Sequence, residues 1–210
     1  AGRLARRRRS RFIIGVYSFY FTMTTFALAI ATALVVQNPQ DFSMPVPWRD
    51  PGYARLIWVQ SPNSNRRPTD TVIDTIVLHS TVIPTLEATT RAFYDTKSQV
   101  SAHFTIGKDG SIVENVSTFA RAWHAGVSKD KLGRENLNNF SIGIELVNLN
   151  DGKDPYPAAQ VNVLRFLILA MKRRFPTLHF IVSHEFIAMP HGRKSDPKGF
   201  PWGDLKDLGF

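Results

Sequence analysis

The stretch HEFIAMPHGRKSDP, residues 184–197, gathers a histidine, a lysine and an aspartate into one short run. His184 can offer a metal a neutral ring nitrogen and Asp196 a hard carboxylate oxygen. Residues two apart in an extended segment point the same way, so Lys194 and Asp196 are expected to face one point in space. The carboxylate would hold a metal there, and the ammonium would be aimed at whatever the metal polarises. A catalytic zinc takes three protein groups and leaves a fourth position to water. The third candidate is His79, which follows the apolar, β-branched run 73–78. One histidine at a strand terminus is usually no more than a polar residue there. Two of them, together with the RKSDP loop, point to a metal set of His79, His184 and Asp196.

Rigid elements must hold these residues. Residues 74–79 read as a strand, and residues 180–182 as a buried strand that breaks at 184–196 into Pro, Gly and charge. That is the composition of a loop leaving a sheet edge, where sites tend to sit. Residues 85–95 read as a helix with Thr85 as N-cap. Residues 101–106 and 111–116 alternate in character and are joined by GKDG, a hairpin signal. Residues 157–175 open with a proline near the first helical position and place Val161, Leu164, Leu167, Ile168 and Met171 at helical spacing. They close on Lys172, Arg173 and Arg174, which suit a helix C-terminus, and the segment reads as packing. His179 is expected to start a strand. Together these elements predict an α/β fold, a mixed central sheet flanked by helices.

In the strand predicted over 141–147, Ile142, Ile144 and Leu146 share one face, while Gly143 and Glu145 share the other. An acid in mid-strand is costly unless it is paired, solvated or open to a cavity. The residues alone leave a solvent-facing Glu145 and a functional one both standing. Asn148, Asn150, Asp151 and Asp154 offer oxygens for calcium, but their spacing does not fit an EF-hand and they read as a surface turn.

The chain of 210 residues is long enough for one domain, and 43% hydrophobic residues suffice for a core. With no cysteine, disulfides and thiolate ligands are excluded. The formal charge of +9 is concentrated at one end, six arginines lying within residues 1–11 and leaving 20 basic against 17 acidic residues. No basic stripe remains to follow a phosphate backbone, so no nucleic-acid partner is expected. Residues 12–36, from Phe12 to Val36, carry no charge and as a helix would extend about 37 Å. That crosses a hydrocarbon core of about 30 Å, and the preceding arginines put the N-terminus in the cytoplasm. The expectation is a basic N-terminus plus transmembrane anchor or signal helix over 1–36, a proline-rich linker over 37–70 and a catalytic domain over 71–210. Within the linker, 56–59 is a candidate edge strand, and Trp48, Tyr53 and Trp58 are expected to pack on the domain.

Six strings in order carry a family resemblance: SPN at 61–63, IVLHST at 76–81, VSAHFTIGKDGSI at 100–112, RAWHAGVS at 121–128, FSIGIELVN at 140–148, and HEFIA followed by GRKSDP. The chain resembles the zinc-dependent N-acetylmuramoyl-L-alanine amidases of the amidase-2 type, related to phage lysozyme-amidases and peptidoglycan recognition proteins. It departs from them in a longer link before the RK pair, where Met189 and His191 are inserted and His191 is brought near the metal. The resemblance implies the fold of that family, a Zn2+ cofactor on His79, His184 and Asp196, and Glu145 as the acid that takes a proton from the attacking water. Lys194 would stabilise the oxyanion, and His103, Trp123 and His124 would line the substrate groove or brace the metal ligands. The implied substrate is peptidoglycan or its muropeptides, cut between N-acetylmuramic acid and L-alanine. A monomer is expected, at the bacterial membrane with its catalytic domain outside the cytoplasm, or secreted if the segment is cleaved. This topology favours wall turnover or remodelling.

Two rival readings are a peptidoglycan receptor without hydrolysis and a peptidase acting within the stem peptide. A receptor would normally lack one zinc ligand, and the helical HExxH of many peptidases is absent, no histidine following His184 at the fifth place.

Overall fold

The computed structural model describes residues 56–210. The arginine run, residues 12–36 and the linker as far as Arg55, with Trp48 and Tyr53, lie outside the described residues. Among the described residues no helix is long and apolar enough to cross a membrane.

The chain runs β1 (Leu56–Trp58), β2 (Ser64–Arg66), β3 (Thr75–Ser80), α1 (Leu86–Tyr94), β4 (Phe104–Ile106), β5 (Ile112–Glu114), β6 (Ala120–Ala122), β7 (Ser141–Leu146), α2 (Ala158–Arg174), β8 (Phe180–Ser183) and α3 (His184–Ile187). Six strands form a mixed sheet in the order β1-β5-β4-β7-β3-β8. All neighbours are parallel except β4 and β5, the expected hairpin, whose turn closes through the Gly107 N–H to the Ser111 carbonyl at 2.8 Å. Strand β1 forms one edge beside β5, as 56–59 suggested. Thr85 caps α1, its hydroxyl accepting from the Ala88 N–H at 3.1 Å.

Alternation sorts the central strands. Ile76 and Leu78 of β3, Ile142, Ile144 and Leu146 of β7, and Phe104 and Ile106 of β4 face α2, where Leu164, Leu167, Ile168 and Met171 meet them in the main core. The C-terminal 3-10 segment Trp202–Leu208 adds Leu205 and Leu208, and is held to α2 by Arg165 pairing with Asp207. The opposite face carries Val77, which packs with Ala125, Leu137 and Ile187, and it is this face that holds the polar residues of the site. One expectation is corrected here: residues 184–187 form a helical turn, not a loop. Ser183 caps it, its hydroxyl accepting from the Phe186 N–H at 3.0 Å, with Glu185 in the first turn.

Residues 56–67 of the proline-rich stretch are built into the fold. Strand β2 pairs antiparallel with β6, and buried Asn63 donates to the carbonyls of Phe93 and Asp95. Arg67 follows, its guanidinium donating to the carbonyls of Thr118, Asn138, Asn139 and Ser141 with no carboxylate among these partners. Burial, then the charge of Arg121, pulls it down to about 9. Main-chain carbonyls from two separate stretches, at 118 and 138–141, therefore converge on one cation, which ties the chain entering β3 to that entering β7. Arg67→Met should lower unfolding stability by on the order of 3 kcal/mol, measured by denaturant titration, because four carbonyls lose their donor.

Candidate active site

Strand pairing assembles the site. Strands β3 and β7 run parallel with His79 opposite Glu145, and β4 places Thr105 opposite Glu145 on the other side. Thr105, Glu145 and His79 thus form a row across the face away from α2. Strand β8 ends at Ser183, opposite Leu78 and beyond, so His184 emerges beside His79. Their Nδ1 atoms lie 3.0 Å apart. Asp196 Oδ2 lies 3.0 Å from His184 Nδ1 and 3.4 Å from His79 Nδ1, and all three residues are buried.

Two ring nitrogens and a carboxylate oxygen so arranged fit a metal. A tetrahedral ion with bonds of about 2.0–2.1 Å needs ligand atoms about 3.3 Å apart. The outer nitrogens are consistent with it. His184 Nε2 faces the Ala125 carbonyl at 3.3 Å and can donate to it, leaving Nδ1 free as an acceptor. His79 Nε2 lies 3.0 Å from His124 Nδ1, His124 Nε2 lies 3.2 Å from Ser141 Oγ, and that hydroxyl donates to the Leu137 carbonyl at 2.5 Å. With each proton passed along that series, His79 keeps its Nδ1 lone pair for a metal. The electrostatics agree: burial, then His184, pulls His79 down to about 4, so the ring is neutral near pH 7. Burial opposes ionisation of Asp196, but the two histidines beside it outweigh burial and hold the carboxyl below its usual range.

His124 has room because residue 143 lacks a side chain. A Cβ on Gly143 would lie 2.4 Å from the His124 ring. On the far side His103 accepts the Gly143 N–H at its Nδ1, 2.9 Å away. His103 and His124 are both buried and pulled well below the ordinary histidine value, chiefly by burial. His124 meets His79 directly, whereas the ring nitrogens of His103 meet the Gly143 N–H, the Ala120 carbonyl and the Arg67 guanidinium. Trp123 is half-buried, and its ring N–H donates to Asn65 at 2.8 Å.

Two further expectations change. Lys194 and Asp196 do not lie in an extended strand, and Asp196 is buried while Lys194 is exposed, although the Lys194 charge still acts on His79 and Glu145. His191 is exposed and stands apart from the group of His79, His184 and Asp196 able to hold an ion. The sequence reading missed Ser141 and the ring-over-glycine contact; a glycine inside a β-branched strand was the available signal. It also missed Asn138, whose side-chain oxygen accepts the His124 and Ala125 N–H groups.

Glu145 is half-buried, and its buried Oε2 has no hydrogen-bond partner. Burial, then the Asp196 charge, pushes it up to about 8, against the pull of Lys194. A cation on the neighbouring ligands would act in the opposite sense and favour the carboxylate.

A family profile, Amidase_2, described as N-acetylmuramoyl-L-alanine amidase, matches residues 68–199. The 1,6-anhydro-N-acetylmuramyl-L-alanine amidase AmpD of Citrobacter freundii is 33% identical over 170 residues, covering 71% of this chain and 88% of its own. A crystal structure of a selenomethionine AmpD derivative superposes with a TM-score of 0.61 at 31% identity, over 75% of this chain and 96% of that one. The amidase AmiD of E. coli, in complex with the substrate anhydro-N-acetylmuramic acid-L-Ala-D-gamma-Glu-L-Lys, gives 0.59 at 28% identity, over 69% and 62%.

Gly143→Ala should cost on the order of 2–3 kcal/mol in denaturant unfolding, because the His124 ring must leave β7. A second expectation concerns Glu145 in metal-free protein. Its pKa is higher folded, at about 8, than the ordinary 4.5, so its contribution is fully present below about pH 4.5 and lost as pH rises through about 8. Glu145→Gln cannot ionise; thermal unfolding should show it gaining on wild type across that window and holding a constant lead above it. A difference independent of pH would contradict this.

Proposed function

This chain belongs to the Amidase_2 family of N-acetylmuramoyl-L-alanine amidases, and from that premise we propose a zinc-dependent mechanism on the residues gathered above. The chain hydrolyses the amide between N-acetylmuramic acid and L-alanine. The zinc would sit on His79, His184 and Asp196, and the observation that carries this reading is their three ligand atoms at 3.0–3.4 Å beside an acid with a partnerless buried oxygen. When bound, zinc supplies Lewis-acid chemistry, lowering the pKa of water to about 7 and polarising a carbonyl.

The chain's own residues supply the rest. Glu145 orients the attacking water, takes its proton at Oε2 and delivers it to the departing alanine nitrogen, since an amine leaves an amide poorly unless protonated. Lys194, whose positive charge acts on Glu145, stabilises the negative charge that grows on the former carbonyl oxygen. His124 and Ser141 hold His79 in one tautomer throughout.

The substrate class is proposed as 1,6-anhydro-muramyl peptides, supported by the name of the AmpD relative and the ligand of the AmiD complex. The uncharged residues 12–36 after a run of arginines support a domain held outside the cytoplasm, where larger wall fragments are also within reach. The test is to incubate the full chain with an anhydromuramyl tripeptide and, separately, with purified peptidoglycan, and to read newly exposed L-alanine amines by mass spectrometry. Release should vanish on chelation and return with zinc. Glu145→Gln should bind zinc as wild type does yet lose on the order of 10²–10⁴ in kcat. Zinc and substrate binding without release from wild type would replace hydrolysis with the receptor reading.

A further inference from the structure

Asp196 belongs to no strand or helix, yet its carboxylate must meet two histidines anchored to the sheet. Something must hold the loop that carries it. Its carbonyl accepts the Glu185 N–H at 2.9 Å, which fixes one point on the α3 side. On the other side the contacts converge on Asn150, in the turn after β7. The Asn150 amide nitrogen donates to Ser195 Oγ at 3.1 Å, and its amide oxygen accepts the Lys198 N–H at 2.7 Å. One side chain thus spans the residues immediately flanking Asp196–Pro197.

Asn150 is itself built for this. Its φ of 58° lies in the left-handed region, which asparagine tolerates better than most residues. Its N–H donates to the side chain of Asn148 at 2.8 Å, and fully buried Asn148 in turn donates to the Asp154 carbonyl at 2.8 Å. The two loops also pack against each other, the Lys198 stem lying over Gly152. A tether therefore runs from the end of β7, two residues after the strand that carries Glu145, to the loop that carries Asp196.

We infer that Asn150 is a positioning residue for the metal centre, its amide pre-organising Asp196 for the ion by clamping both sides of the loop. The inference rests on the metal reading above. Without the clamp the loop must be ordered when the ion binds, and that entropy is lost from affinity.

Metal affinity tests it directly, by competition of the full chain with a chromogenic zinc chelator, alongside thermal unfolding of the metal-free protein. Asn150→Gly keeps the left-handed backbone and removes only the amide. It should bind zinc about tenfold more weakly, in line with the loss of other outer partners of a metal site. Its metal-free unfolding temperature should stay within about 2 °C of wild type. Asn150→Asp still accepts from Lys198 and can accept the Ser195 hydroxyl, and should bind within about threefold of wild type. If Asn150→Gly does not fold, Ser195→Ala removes one of the two bonds from the loop side and should weaken zinc about threefold. Wild-type affinity in Asn150→Gly, or in Ser195→Ala where it substitutes, overturns the clamp and leaves the metal centre standing. Failure of the wild-type chain to take up zinc overturns the metal reading, and the clamp with it.

Discussion

The site depends on one strand pairing. Because β3 and β7 run parallel with His79 opposite Glu145, a buried imidazole and an acid with a partnerless oxygen are held on one face, a strand spacing of about 4.8 Å apart. A slip of one residue would turn Glu145 into the core against α2 and bring Ile144 to the site. The apolar residues on the other face forbid that slip. Ile76, Leu78, Ile142, Ile144 and Leu146 are all fully buried, so the register that satisfies the core is also the register that builds the site.

The polar face obeys a different economy. His79, His103, His124, Ser141 and Asp196 are all buried, and burial of polar groups is tolerated where each finds a partner. Here the partners form a directed series from His79 to the Leu137 carbonyl, while Arg67 gathers the carbonyls behind it. Glu145 stands outside that series. Its Oε2 has no hydrogen-bond partner, and burial pushes its pKa up to about 8, a cost that the fold leaves uncompensated. An unsatisfied acid beside a directed hydrogen-bond series is a local mark of chemistry.

The family profile spans residues 68–199, which hold His79, Glu145, His184, Lys194 and Asp196. The segments before it, including β2 and Asn63, are nonetheless bonded into the same domain. The loops around 150 and 195–198 join beyond His79 at the end of β3 and His184 at the start of α3: they bring in a carboxylate from outside the sheet and hold it by the Asn150 side-chain amide instead of a ladder.

Much of this was legible in the chain itself. Alternation in 141–147 put Glu145 and Gly143 on one face, the spacing from Val161 to Met171 marked the apolar side of α2, Thr85 announced a helix start and GKDG a hairpin, because these signals act over a few residues. The strand-end histidines and the RKSDP aspartate stood out by residue type and by family resemblance. What tertiary structure decided was the meeting of distant residues: His124 over Gly143, Ser141 behind it, Arg67 among four carbonyls, Asn150 across the Asp196 loop. It also decided that His191 and Lys194 are exposed and that His103 and His124 are buried. Such contacts join residues tens of positions apart, and no local periodicity encodes them; they exist only once the sheet register is set and the loops have closed over it.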